Sequence, residues 1–83
     1  MDYILVSLEI PAIEELYEIF IPAFAEVDKL VDMLRKSVRD MSDGRYTPSG
    51  EEYLCSRETG TRFLGSVTLQ QYGIRNGDHL LLI

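Results

Sequence analysis

Few side chains in this chain could do chemistry. There is one histidine, His79, directly after Asp78, and one cysteine, Cys55. Nucleophilic catalysis needs a positioned nucleophile, a base to activate it and donors for an oxyanion. His79 has only Asp78 beside it, at the mouth of an apolar run, and reads as a polar residue entering a strand. Cys55 has no nearby cysteine or histidine, so the ligand spacing of a metal site is missing. It reads as a small hydrophobe on a sheet. Glu14-Glu15 and Glu51-Glu52 are adjacent pairs, and neighbours on a strand point to opposite faces, so neither pair forms a carboxylate dyad. Ser49-Gly50 and the scattered glycines do not form a phosphate loop. The expectation is a protein that is not an enzyme, with no cofactor and no metal.

The elements that position these residues follow from periodicity. Tyr3–Ile10 is rich in β-branched and aromatic residues, and Ile4, Val6, Leu8 and Ile10 repeat with period two, which predicts a strand. Pro11-Ala12 closes it. Glu15–Ile21 is a second strand, with Tyr17, Ile19 and Ile21 on one face, and the short gap predicts a hairpin. Pro22 breaks it. A helix is expected from Ala25 to Met41, because Val27, Leu30, Val31, Leu34, Val38 and Met41 form one apolar stripe. Asp32 and Lys36 make a favourable pair on its outer face. Asp28 in the first turn substitutes in part for a missing N-cap, and Asp43-Gly44 stops the helix. A polar loop then leads to short strands at Tyr53–Ser56 and Arg62–Leu64. Thr68–Tyr72 reads as a helical turn, Asn76-Gly77 as a tight turn and His79–Ile83 as the last strand. The run Leu80–Ile83 is apolar on both faces, which marks a strand in the middle of a sheet.

Eighty-three residues make a single domain spanning 1–83, with a small core and little room for an enclosed active site. The net charge of −6 argues against general affinity for nucleic acid or anionic membranes. The charge is uneven. Residues 1–34 hold eight acids and one base, whereas residues 35–83 hold seven bases and six acids. The first hairpin is therefore acidic, either as a solvated rim or as a docking face for a basic surface. A single cysteine allows no intrachain disulfide, and a reducing, cytoplasmic setting is expected. The start lacks the basic region of a signal peptide. Apolar runs such as Leu80–Ile83 fall far short of the ~20 residues of a membrane helix, so direct membrane insertion is not expected.

The order β-β-α-β-(β)-β, with the final strand inserted centrally, resembles the β-grasp or ubiquitin-like arrangement. This is an α+β fold in which one helix packs on a mixed four- to five-stranded sheet. The stretch "TLQQYGIRNGDHLLLI" looks like the segment of ubiquitin-like domains that joins a short helical turn to the last strand. Leu69, Tyr72, Ile74, Leu80 and Leu82 fall at the spacing of its buried residues. Val27, Leu30 and Leu34 match helix core positions, and Phe63 matches an apolar residue of the short fourth strand. Within the superfamily, Gly73-Ile74-Arg75-Asn76-Gly77-Asp78-His79-Leu80 resembles the "GI-x-NGD-x-L" signature of the small bacterial YukD/EsaB proteins of type VII (WXG100) secretion. That narrower resemblance rests mainly on residues 53–83. The first hairpin, with "AIEELYEIFIPAF", departs from it by being more apolar.

The resemblance implies a non-catalytic, non-conjugated protein that acts through protein–protein contacts, accessory or regulatory to a type VII secretion system. A ubiquitin-like interaction domain of another system, or a fragment of a larger protein, is the alternative. Modifiers and sulfur carriers of this superfamily work through a flexible tail ending in Gly-Gly. This sequence ends on Ile83, and modifier function is not expected from it. Residues out of phase with the core set, Tyr3, Leu5, Leu16, Phe20, Tyr53, Cys55, Leu81 and Ile83, should lie on the sheet face that the helix leaves open. An apolar set of that size marks an interaction surface, and ubiquitin-like domains commonly bind partners through this face. A homodimer through it, or a sheet-edge pairing through the second strand, is the simplest way to cover it.

Overall fold

Two strands, β1 (Tyr3–Ile10) and β2 (Glu15–Pro22), form an antiparallel hairpin in unbroken register from Tyr3 opposite Pro22 to Ile10 opposite Glu15. They belong to a computed structural model that describes residues 3–83; Asp2, one of the acids counted above, lies outside the described residues. The hairpin closes through one 3-10 turn, Pro11–Ile13, after which Glu14 takes a left-handed φ of 54°.

The helix α1 spans Val27–Met41 and starts two residues later than the periodicity predicts. Glu26 at its N-cap makes no side-chain cap and forms an extended bridge to Thr68. The first helical N–H groups are instead satisfied by a distant loop. Val27 N–H donates to the Val67 carbonyl (2.9 Å) and Asp28 N–H to that of Gly65 (3.0 Å). Unpaired N–H groups are the defect that an N-cap normally corrects, and here a tertiary contact does so. At the other end, Asp43 and Gly44 both adopt positive φ, and Gly44 N–H reaches back to the Arg39 carbonyl (2.9 Å). That six-to-one bond is a Schellman-type stop. Val27, Leu30, Val31, Leu34 and Val38 are buried as expected, but Met41, the last residue of the helix, is 41% exposed. The Asp32–Lys36 pair does not form. Asp32 pairs with Arg35 instead.

β3 (Leu54–Ser56) and β4 (His79–Leu82) complete a four-stranded sheet in the order β2-β1-β4-β3. β4 runs parallel to β1 and antiparallel to β3, so the last strand is central, as its apolar run predicts. The chain has the β-grasp topology with a four-stranded sheet. The strand expected at Arg62–Leu64 shrinks to one bridge, Arg62 to Cys55, plus a bond from Phe63 N–H to the Leu54 carbonyl (2.9 Å). It goes no further because the Leu64 N–H is taken by the Tyr72 hydroxyl (2.9 Å). Phe63 is still buried, and its ring packs against Tyr72 with centroids 4.7 Å apart.

The core lies between α1 and one sheet face. Val6, Leu8, Ile10, Ile21, Leu54, Leu80 and Leu82 come from the strands, and Leu69 comes from the turn before β4. That turn is fixed by a reciprocal capping box. Gln71 N–H donates to Thr68 Oγ1 (3.1 Å), and Thr68 N–H donates to Gln71 Oε1 (3.0 Å). Tyr72 and Ile74 then pack on the core edge. Gly77, at a φ of 88°, makes the turn that delivers β4 into the sheet.

Candidate protein-interaction surface

The open face of the sheet can be reconstructed from the strand registers. Tyr3 lies opposite Pro22, Leu5 opposite Phe20, Ser7 opposite Glu18 and Glu9 opposite Leu16. Across the β1–β4 ladder, Ser7 meets His79 and Glu9 meets Leu81. Leu81 in turn meets Cys55 on β3. Beyond the ladder end, Tyr53 and Ile83 exchange backbone bonds of 2.8 and 3.0 Å. All eight expected residues therefore share one face.

Their accessibility differs. Phe20 is 68% exposed, and Tyr3, Leu16 and Ile83 are also exposed; Leu5, Tyr53 and Leu81 are half-buried. Cys55 has the right phase but is only 6% exposed, so it supports the surface from beneath rather than forming part of it. Burial also pushes its thiol pKa up. Tyr53 is held by Arg62, whose guanidinium sits 4.2 Å above the ring.

The apolar set is not one continuous patch. A polar belt crosses the sheet through Glu18, Ser7 and His79, and Glu9 sits in the next row. Glu9 Oε1 lies 3.0 Å from His79 Nε2, out of line for a hydrogen bond, and 3.6 Å from Arg57 Nε. On one side of the belt lie Tyr3, Leu5 and Phe20, with Phe24 edge-on to Tyr3 at 5.8 Å. On the other lie Leu16, Leu81, Ile83 and Tyr53. The belt residues have the same alternation phase as the predicted set. They become visible only with the hairpin register in hand, because the apolar pattern alone passes over them.

Two further groups set the frame of this face. Asn76 Oδ1 accepts the Leu5 N–H (2.8 Å), and Gly77 N–H donates to the Leu5 carbonyl (2.8 Å), so the last turn is tied to β1 beneath the aromatic half. At the opposite end the loop from Ser42 to Tyr53 is anchored by Glu52, whose side chain is 2% exposed. Its carboxylate accepts from Tyr46 Oη (2.7 Å), Arg35 Nε (2.6 Å), Ser49 N–H (2.7 Å) and Gly50 N–H (3.1 Å). Burial alone would raise the Glu52 pKa, but these donors outweigh it and hold the carboxyl at about 2. Tyr46 moves up through its own burial and its bond to Glu52. Sequence reasoning weighs Glu51-Glu52 only as a carboxylate dyad and misses this anchor. The signal for it, Arg35 on the helix flank and Tyr46 in the loop, is meaningful only once the loop's path is known.

Among the described residues no group of three or more histidine, cysteine, aspartate or glutamate side chains could hold a metal, and no helix is long and apolar enough to cross a membrane.

The whole chain superposes on the ubiquitin-like domain of EccD5 from Mycobacterium xenopi with a TM-score of 0.81, at 20% identity and covering 94% of that chain. It also superposes along its full length on the ubiquitin-like domain of the Mycobacterium tuberculosis type VII secretion system protein EccD1, with a TM-score of 0.80 at 13% identity and 99% coverage of that chain. Caldiarchaeum subterraneum ubiquitin is more distant in shape, with a TM-score of 0.67 at 20% identity, covering 99% of this chain and 92% of that one. No protein-family model and no curated protein matches the sequence. The fold is that of the ubiquitin-like domains.

Proposed function

We propose that this chain is a non-catalytic, non-conjugated ubiquitin-like module of the bacterial cytoplasm that binds a protein partner through the open face of its sheet. We place it as an accessory or regulatory element of a type VII (WXG100) secretion system. The observation that carries the binding reading is the exposure of large apolar side chains, Leu16, Phe20, Tyr3 and Ile83, on a face that the helix leaves uncovered. Exposed apolar clusters of this kind, here two divided by a polar belt, mark a contact site when they exceed singly scattered residues, with a few central side chains dominating the energy. The likeness to the two EccD domains supports the type VII setting. Because those relatives are described as domains, it also supports a second reading, a ubiquitin-like domain of a larger secretion component.

The test is whether a WXG100 protein and an FtsK-type ATPase are encoded beside its gene, and whether they co-purify with it. Leu81→Glu places a charge at the half-buried centre of the face and should weaken capture at least about tenfold while leaving the far-UV spectrum unchanged. Retained capture by a folded Leu81→Glu variant would reject the open face as the contact. A gene neighbourhood without these components, together with no capture, would reject the secretion setting.

A further inference from the structure

We propose that Glu9, His79 and Arg57 form a proton-driven exchange on the sheet: a protonated His79 captures the Glu9 carboxylate, and Arg57 releases it. The exchange belongs to the chain alone. Only its consequence for a partner rests on the open-face reading.

Three observations carry it. The first is a shared acceptor. Glu9 Oε1 lies 3.0 Å from His79 Nε2 and 3.6 Å from Arg57 Nε. Neither contact is a hydrogen bond, because the imidazole is out of line and the guanidinium is too far away. The second is an unsatisfied atom. His79 Nε2 is buried and has no hydrogen-bond partner among the described residues, although the ring as a whole is partly exposed. Native folds keep few such atoms. The third is room to move. His79 stands between two hollows. One, of about 250 Å³, is bounded by Ser56, Phe63 and Tyr72; the other, of about 430 Å³, by Pro11 and Leu16. A ring packed at interior density could not be re-aimed without displacing its neighbours. This one can turn into open space.

The backbone holds the three side chains in reach of one another. In the parallel β1–β4 ladder Ser7 faces His79 and Glu9 faces Leu81, so Glu9 and His79 are diagonal neighbours on one face. Arg57 N–H donates to the His79 carbonyl (2.9 Å), which puts Arg57 on the other flank of His79. The exchange therefore needs side-chain rotation and no change in the strands.

The chemistry follows from the two states of the ring. A neutral imidazole brings no charge to Glu9, so Arg57 is the cation that balances it. A protonated imidazole carries an N–H on both nitrogens and a positive charge. At 3.0 Å, a small rotation converts the misaligned contact into a charge-assisted hydrogen bond. Two cations on one oxygen repel each other, and the more distant one leaves. Arg57 is also the more exposed, its side chain being 56% accessible against 32% for His79. It returns to water at little cost.

Other charges surround the ring. Glu58, from the loop after β3, and Asp78, from the turn before β4, line the smaller hollow beside the Tyr72 phenol. Asp78 Oδ2 already accepts from Arg75 N–H (2.8 Å). Glu14 and Glu15, from the hairpin turn, line the larger hollow, and Glu15 pairs with Arg45 at 3.1 Å. Glu18 on β2 stands beyond Ser7 in the belt. Among the described residues, Glu9 alone of these carboxylates makes an ion-pair contact with the ring. Histidine is the side chain that ordinarily changes charge between about pH 5 and 8. Mild acid thus neutralises Glu9 from within the sheet and turns Arg57 out to solvent. A basic partner segment that the belt attracts at neutral pH is then repelled.

The test compares the full chain at about pH 8 and about pH 5.5, either side of ordinary imidazole titration. Unfolding is measured in double-mutant cycles, and the His79 ring and Arg57 Nε are followed by nitrogen-15 NMR. Glu9→Gln and His79→Gln should be coupled at the lower pH, by about two- to fivefold in the unfolding equilibrium constant, and additive at the higher. The sign is fixed because the paired form is the protonated one, so its contribution fades as pH rises. Glu9→Gln and Arg57→Gln should show the reverse. In the wild-type chain the Arg57 Nε signal should move with the same midpoint as the His79 ring. It should stay still across that range in His79→Gln and in Glu9→Gln, whereas Glu58→Gln should leave the joint transition in place. The proposal is overturned by Glu9–His79 coupling that is equal at the two pH values, by Glu9–Arg57 coupling that survives in acid, or by an Arg57 response that persists in Glu9→Gln. None of these readouts uses a partner, so failure of the exchange and failure of the open-face reading are told apart.

Discussion

Glu52→Gln tests whether the buried carboxylate organises the loop that carries Tyr53 to the end of the open face. The side chain is isosteric but cannot bear charge, and it exchanges a carboxylate for an amide in front of Arg35 and Tyr46. The Glu52 pKa drops from 4.5 to about 2 on folding. At about 1.4 kcal/mol per unit, that shift corresponds to about 3 kcal/mol of stability at neutral pH. The folded pKa is the depressed one, so this contribution is complete above the unfolded value, 4.5, and is lost as pH falls toward 2. The variant should therefore be less stable than wild type by about 3 kcal/mol at pH 7, comparable with the cost of breaking other buried pairs. In a domain of this size that lowers Tm by about 12–24 °C. Urea unfolding at a series of pH values checks it. The difference between the two proteins isolates Glu52 from the other carboxylates and should shrink from its full value at pH 7 to near zero at about pH 2. A deficit that is independent of pH, or one below about 1 kcal/mol at pH 7, would refute the assignment of Glu52 as a charged anchor.

Three other outcomes follow from the same contacts. A Cβ at Gly65 would overlap only the carboxylate of the exposed Asp28 side chain, which can rotate away, so Gly65→Ala should cost less than about 1 kcal/mol by thermal melt, and adding Asp28→Ala should remove that cost. Asn76→Ala removes the acceptor for the Leu5 N–H and should cost about 1 kcal/mol, with faster exchange of that amide. Cys55 is buried and its thiol pKa is raised by that burial, so a thiol reagent at mildly alkaline pH should label the folded protein far more slowly than the urea-unfolded chain.

Much of the fold was legible because its strongest signals are local. Period two in Tyr3–Ile10 and Glu15–Ile21 set the phase of both hairpin strands, and the apolar run at Leu80–Ile83 put the last strand in the middle of the sheet. The misses share a physical origin in contacts distant in sequence. The helix begins at Val27 because the loop at Gly65–Val67 accepts its first N–H groups. Arg62–Leu64 stops at one bridge because Tyr72 takes the next donor. Asp32 turns to Arg35, itself drawn toward Glu52. The candidate surface was legible in phase, since all eight residues lie on the open face. It was not legible in depth: Cys55 is covered, and the belt of Glu18, Ser7, His79 and Glu9 emerges only when strands are laid side by side.

That belt changes what the open face can recognise. An unbroken apolar sheet would bind on area alone and would readily pair with itself. Here an acidic and imidazole-bearing strip separates the aromatic cluster of Tyr3, Leu5 and Phe20 from the aliphatic cluster of Leu16, Leu81 and Ile83. A partner bound to this face as proposed would have to present two apolar contacts at the right separation, with a polar or basic segment between them to meet Glu9 and Glu18. Burying those carboxylates against an apolar partner would leave them unsolvated without compensation. Recognition of this kind is selective through the mismatches it penalises. β4 couples it to the fold. Leu80 and Leu82 hold the core from the same four-residue strand that projects His79 and Leu81 outward. A substitution at Leu82 therefore disturbs the surface by loosening the strand, whereas one at Leu81 acts on recognition directly, and only the first should lower Tm and partner binding together.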